Sequence, residues 1–196
     1  MNVTIPYKKA VVPFCDELSV TAETIGSVNT LLRREDGTVF GDNTDAFGFE
    51  TLLNQVMPGS LNGKNAVLRK RGANVVPISR SGENNYGNLN LHTDTSLLVN
   101  TTPVGMYPKN GACPVDLVLF PALQAVLDVV YNPARTALLL QAEALGIPHA
   151  GGLLMLVAQA KRSAEIFLGK ALPDSEIGRI TALLQRQMQI GRASCR

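Results

Sequence analysis

Long hydrophobic runs are missing from this chain. Its apolar stretches are short, Leu153 to Ala158 being typical, against the roughly 20 residues a membrane-spanning helix needs. No span is therefore expected. Charge is sparse as well: Asp, Glu, Lys and Arg make up 17% of the residues and the net charge is +2. The basic residues are scattered, which argues against a nucleic-acid surface yet leaves enough cations for a small anionic ligand. Cysteine is confined to Cys15, Cys113 and Cys195, an odd count without metal-ligand spacing that reads as reduced thiol. Met1 leads straight into Asn2-Val3-Thr4-Ile5-Pro6 without a signal-peptide pattern, so the expected compartment is the cytoplasm. Internal repeats and low-complexity tracts are absent.

What is present suffices for a core: 45% of 196 residues are hydrophobic, enough for one domain or two small ones. Residues 2–5 read as a short strand, and Lys8 to Glu17 as a loop with a short helix around Pro13. Val28 to Arg33 and Thr38 to Gly41 flank Asp36-Gly37, a hairpin-turn pair, so two antiparallel strands are expected. Ala46 to Gln55 reads as a helix, and Pro58-Gly59 as a linker. Beyond it the pattern changes to short apolar strands at Asn65–Leu68, Asn74–Ser79, Ser96–Asn100 and Ala125–Val130, with a helix from Thr136 to Leu145 stopped by Gly146. Strands alternating with crossover segments predict a parallel, doubly wound sheet. From Gly152 the chain reads as helix, with Leu153, Leu156, Val157, Ala160, Ala164 and Phe167 on one face, and a second helix runs from Ser175 to Met188. Residues 189–196 depart from that pattern and read as a non-native tail resembling a translated adapter.

Some residues stand out for chemistry. Lys8 follows a strand and a proline, on a stiffened loop. A lysine brought against an aspartate can relay a proton and stabilise charge, although an isolated lysine is ordinarily a solvated one. Asn43-Thr44-Asp45 ahead of a helical run is also a plain N-cap signature. Gln159 interrupts an apolar helix and reads equally as a satisfied core amide or a ligand contact. Tyr131 reads equally as core packing. His92 and His149 fall outside every motif; Lys64, Lys161 and Arg162 read as solvated side chains.

Asn2-Val3-Thr4-Ile5-Pro6-Tyr7-Lys8, Gly26-Ser27-Val28-Asn29-Thr30 and Gly41 to Gly48 resemble, in order and spacing, the shikimate dehydrogenase family. Asn100 to Met106, Asp128 to Pro133 and Gly151 to Gln159 extend the resemblance to about residue 188. It implies an α/β fold of two lobes with a cleft between them. The substrate lobe is residues 1–57 completed by helices in 152–188, and the Rossmann-like NADP lobe is 58–151. It implies reversible NADPH-dependent reduction of 3-dehydroshikimate to shikimate in chorismate and aromatic amino-acid biosynthesis, by a monomer or homodimer. Lys8 and Asp45 match the catalytic pair; Thr4, Asn29, Tyr131 and Gln159 match substrate contacts. Ser79, Arg80, Thr101, Val104, Met106, Val129, Gly152 and Met155 match positions that hold the cofactor, with Arg80 suited to a 2′-phosphate and so to NADP over NAD. A quinate/shikimate dehydrogenase fits the same motifs, and a non-catalytic remnant is the reading from another class.

The family's glycine-rich phosphate turn has no counterpart. Asn65-Ala66-Val67-Leu68 runs directly into Arg69-Lys70-Arg71-Gly72-Ala73, which resembles the end of the following helix. The remaining crossover is shorter than the dozen or so residues a parallel pair needs. The family's upstream segment, with two serines that grip the substrate carboxylate, likewise has no counterpart.

Overall fold

The Asp36-Gly37 signal folds as expected. Gly37 takes φ 89°, a left-handed backbone that favours glycine, and Asp36 Oδ1 accepts from the Thr38 amide at 2.9 Å. This turn joins strands β2 (Thr30–Arg33) and β3 (Val39–Asp42) antiparallel, with Leu31 opposite Gly41. The computed structural model describes residues 1–58 and 74–193, with side chains to residue 188.

A short strand β1 (Glu17–Leu18) lies parallel to β3, giving the order β1-β3-β2. The strand expected over residues 2–5 is reduced to a single bridge between Asn2 and Thr30. Strand β1 went unforeseen, as did helix α1 (Val20–Ile25), capped by Ser19, whose hydroxyl accepts from the Ala22 amide at 3.0 Å. Helix α2 (Thr44–Val56) starts two residues before the expected Ala46.

Next come β4 (Leu97–Asn100), β5 (Ala125–Asp128), helix α3 (Ala137–Ala144) and β6 (His149–Gly151), which form a parallel sheet in the order β4-β5-β6. Thr136 caps α3 through the Leu139 amide, and Gly146 follows it with φ 67°. Residues 74–79 form no strand, contrary to expectation. The expected strand at Asn65–Leu68 and the Leu68–Arg69 junction lie outside the described residues, as do Gly59 and Lys64.

Helices α4 (Leu153–Leu168) and α5 (Ser175–Ala193) close the chain. The helical backbone continues to Ala193, through the stretch that reads as a pattern break. The expected apolar face of α4 is also rotated: Leu156, Ala160 and Phe167 are exposed, while Val157, Ala158, Lys161 and Ser163 are buried.

Two compact units result, Met1–Phe49 with Leu154–Gln187 and Glu50–Leu153 with Met188–Arg196. In the first, Val157, Ala158 and Ile177 form a core with Phe47, Leu154, Ile180 and Leu184 against it. In the second, Leu117, Val126, Leu138 and Ala142 do so with Leu98 and Ile147. No helix among the described residues is long and apolar enough to cross a membrane.

Candidate active site

Lys8 sits on a turn that follows Thr4, whose carbonyl accepts from the Tyr7 amide at 2.9 Å. The Lys8 carbonyl accepts from the Val28 amide at 2.8 Å, which ties the turn to the segment entering β2. Lys8 Nζ donates to Asp45 Oδ2 at 2.6 Å, across 37 residues of sequence. Their side chains are 26% and 31% exposed. An ion pair so accessible contributes only about 0–1 kcal/mol to stability, so the fold gains little by assembling it.

Asp45 is not the helix cap that its sequence context suggests. It lies in the first turn of α2, where the helix dipole favours a carboxylate. The cap comes from a distant residue: Asn29 Oδ1 accepts from the Thr44 amide at 2.8 Å. Asn29 is 4% exposed, and its backbone joins two further segments, donating to the Asp42 carbonyl at 3.0 Å and accepting from the Val3 amide at 2.7 Å. One asparagine thereby fixes the segment before Lys8, the end of β3 and the start of α2.

Gln159 joins the same network. Thr44 Oγ1 donates to Gln159 Oε1 at 3.4 Å, and Gln159 Nε2 donates to the Leu156 carbonyl at 2.9 Å. Gly48 permits this approach of α2 and α4: a Cβ there would lie 2.6 Å from the Met155 carbonyl oxygen and 3.0 Å from Gln159 Cβ. Thr44 thus joins Asn29 to Gln159 and precedes Asp45, the partner of Lys8, and all of these residues lie in one unit. Thr4 lies on the turn before Lys8 with its side chain exposed, outside this network. Lys161 overturns its reading as a solvated side chain: the side chain is 6% exposed and its ammonium bonds Glu165 at 2.8 Å and Asp174 at 2.7 Å. These two bonds push its pKa up, while the Lys161 bond and the Leu172 amide hold the Glu165 carboxyl below its ordinary range.

The second unit has its own polar centre. Asp128, at the end of β5, is fully buried. Its Oδ1 accepts from Asn100 Nδ2 and the Val130 amide, both at 3.0 Å, and its Oδ2 from Thr136 Oγ1 at 2.7 Å. Burial nonetheless pushes its carboxyl above the usual range, against the pull of those donors. Asn100 also shapes the loop after β4: its Oδ1 accepts from the Thr102 amide at 3.0 Å and its Nδ2 donates to the Val104 carbonyl at 3.3 Å. Thr101, Val104, Met106 and Val129 accordingly share the C-terminal ends of β4 and β5, where open parallel sheets bind ligands. Gly152 packs on Val129 so closely that a Cβ would lie 2.0 Å from the Val129 carbonyl oxygen. Ser79 and Arg80 lie on an irregular exposed segment. Tyr131 is 46% exposed, against its reading as core packing. Met155 belongs to the first unit, its carbonyl facing Gly48. No group that could hold a metal ion occurs among the described residues.

Comparison with known proteins follows the same lines. The family profile described as the shikimate dehydrogenase substrate binding domain matches residues 1–31. The NADP(+) shikimate dehydrogenase of Methanosphaera stadtmanae is 32% identical, over 87% of this chain and 72% of that protein. That alignment runs over 207 positions, more than this whole chain contains, so the relative carries residues with no counterpart here. Among solved structures, a chorismate mutase/shikimate 5-dehydrogenase fusion protein from Clostridium acetobutylicum superposes with a TM-score of 0.84 at 30% identity, covering 96% of this chain and 78% of that one. Quinate dehydrogenase from Corynebacterium glutamicum, in complex with NAD, gives 0.80 at 27% identity, covering 93% and 76%.

Proposed function

The chain belongs to the shikimate dehydrogenase family, and on that premise we propose that Lys8 and Asp45 are the proton-handling pair of a site for 3-dehydroshikimate and shikimate. The observation that carries this reading is the 2.6 Å contact between them, assembled across the sequence where stability gains almost nothing. The reaction is the reversible reduction of 3-dehydroshikimate within chorismate and aromatic amino-acid biosynthesis, in the cytoplasm. Lys8 Nζ gives a proton to the C3 oxygen in one direction and recovers it in the other. Asp45 keeps the ammonium in place and accepts from a ring hydroxyl. Asn29 and Gln159, with Thr4 and Tyr131, supply the short polar contacts that a polyol requires. The substrate lobe is residues 1–57 with 152–188, and the cofactor lobe is 58–151.

NADPH supplies the hydride when bound. Arg80 fits its 2′-phosphate: it is exposed and makes no ion pair or hydrogen bond with another described residue. Ser79, Thr101, Val104, Met106, Val129, Gly152 and Met155 are assigned to the cofactor by the family resemblance, Gly152 contributing backbone alone because Val129 occupies the space of a side chain. The fit fails at the pyrophosphate, for which the sequence after Leu68 offers no glycine-rich turn. The chain as it stands is therefore expected to bind NADPH weakly or not at all, and tight binding in a fluorescence titration refutes this.

The catalytic assignment is tested by restoring that turn and substituting Lys8→Ala. Turnover should fall by about 10²–10⁴-fold while shikimate KM moves only a few-fold. Unchanged turnover removes Lys8 from the mechanism. The likeness to a quinate dehydrogenase supports a second reading within the same chemistry, and turnover on quinate at or above that on shikimate would favour it.

A further inference from the structure

Three hydroxyls are buried together where β2, α2 and α4 meet. Ser163 Oγ lies 2.8 Å from Thr30 Oγ1 and 3.0 Å from Thr44 Oγ1, and all three residues are at most 2% exposed. Buried hydroxyls must find partners, and here the protons can be counted. Thr30 has one, donated to Asn29 Oδ1 at 3.0 Å. Thr44 has one, with two acceptors in reach, Asn29 Oδ1 at 3.2 Å and Gln159 Oε1 at 3.4 Å; Asn29 Oδ1 already takes the Thr30 hydroxyl and the Thr44 amide on its two lone pairs, which leaves this proton to Gln159 Oε1. Thr44 Oγ1 meanwhile accepts from Asn29 Nδ2 at 3.1 Å. With both threonine protons committed, Ser163 is the donor of the cluster. It supplies the proton that Thr30 Oγ1, the one threonine oxygen without a donor, still lacks.

Without that proton the cluster has another arrangement within reach. Thr30 and Thr44 Oγ1 are 3.5 Å apart. If Ser163 no longer donates, the Thr44 proton can turn to Thr30, and Gln159 Oε1 loses its partner. The carboxamide is then free to turn over. While Ser163 donates, Gln159 Oε1 faces Thr44, and one Nε2 proton is held by the Leu156 carbonyl. The second Nε2 proton has no partner among the described residues.

We propose that Ser163 is a positioning residue that sets the orientation of the Gln159 carboxamide, so that Gln159 meets a polyol ligand as a hydrogen-bond donor. The ligand half of this rests on the reading of Gln159 as a substrate contact; the orientation half does not. Ser163 lies one helical turn beyond Gln159 on α4, the spacing that puts two side chains on one face. It therefore acts through Thr44 and touches no reacting atom.

The test is the Gln159 side-chain NH₂ signal in a nitrogen-15 labelled sample of the 196-residue chain, without ligand. Ser163→Ala should shift that signal and speed its solvent exchange about tenfold, the size expected for one lost hydrogen bond, with backbone protection of α2 and α4 unchanged. Ser163→Thr, which keeps the hydroxyl, should restore the native signal. Thr44→Val should reproduce the effect, and adding Ser163→Ala to it should change nothing further. An unmoved Gln159 signal in Ser163→Ala, or additive effects of the two substitutions, overturns the proposal. Should Ser163→Ala fail to fold, Thr44→Val decides, since a native Gln159 signal in it breaks the proposed link. Shikimate is then titrated into the native chain. A shift of the Gln159 NH₂ supports the donor role. No shift overturns the functional reading and the ligand half with it, while the ligand-free spectra still decide the role of Ser163.

Discussion

Replacing Gly48 by alanine should have the opposite sign to the same change at Gly178. Both glycines lie inside helices, α2 and α5. In an open helix, Gly→Ala stabilises by about 1 kcal/mol, because alanine gives up less backbone freedom on folding. A methyl group at Gly178 would have nothing within 4 Å of it, so Gly178→Ala should gain close to that amount. At Gly48 the added carbon meets the Met155 carbonyl oxygen at 2.6 Å and Gln159 Cβ at 3.0 Å. The first of these is backbone and cannot rotate away. Overpacking of this kind costs about 1–3 kcal/mol. The clash must also exceed the propensity gain, and because α2 and α4 have to separate to relieve it, a net loss of up to about 2 kcal/mol is expected. The Thr44–Gln159 contact, at 3.4 Å, is near the limit of a hydrogen bond. A separation of a few tenths of an ångström breaks it. Urea unfolding of the two variants should therefore give midpoints on opposite sides of the native one, with the Gln159 side-chain resonance displaced in Gly48→Ala alone. Equal stabilisation by both substitutions would refute the close approach of α2 and α4, and with it the placement of Gln159 beside Thr44.

Two further outcomes follow from buried charge. Asp128→Ala leaves Asn100 Nδ2, the Val130 amide and the Thr136 hydroxyl without their acceptor, and should cost about 3 kcal/mol or more in urea unfolding. Because burial raises the Asp128 carboxyl in the folded chain, its contribution to stability is present in full below the ordinary aspartate range. It is lost as pH rises through the raised value. Asp128→Asn should flatten that part of the stability–pH curve, and an unchanged slope would exclude Asp128 as its source. Lys161→Met strips Glu165 of its nearest cation. With the Asp174 carboxylate open to solvent on the other side, the expected loss is about 1–3 kcal/mol, and Glu165→Gln in the same background should recover part of it.

How much of this was legible in the sequence depends on the range of the interaction involved. The β2–β3 hairpin was readable because Asp36 and Gly37 act within the turn itself. The helix over Ala137–Ala144 was readable because Thr136 and Gly146 bound it locally. The Lys8–Asp45 pair came from motif resemblance alone, since nothing local connects residues 37 apart. The readings that failed were those in which a neighbour in space overrides one in sequence. Asp45 looked like a cap, but Asn29 caps the helix. Lys161 looked solvated, but Glu165 one turn along α4 and Asp174 beyond its end enclose it. Tyr131 was open between core packing and a ligand contact, and its exposure removes the first. Asn74–Ser79 has strand composition and no strand. The signal for Ser163 was present and unused: a second polar residue four positions after Gln159, on a helix otherwise rich in apolar residues, marks a polar face.

The two units carry their polar groups differently, and that difference bears on what the chain can still do. Around Thr44 the partners are hydroxyls and carboxamides, neutral groups whose directions are set by one another. Such a cluster specifies geometry without storing charge, and it needs no ligand to satisfy it. Around Asp128 the partners converge on a single buried carboxylate whose charge the surroundings disfavour, and its purpose is to hold the β4 and β5 loops in shape. The first arrangement prepares donors for a ligand; the second prepares a scaffold on which a cofactor would lie. A chain that keeps both while lacking the glycine-rich turn should recognise a polyol before it recognises a dinucleotide. Shikimate binding without measurable NADPH binding is the behaviour these two centres imply, and equal loss of both ligands would mean that the Thr44 cluster holds the fold together without serving a site.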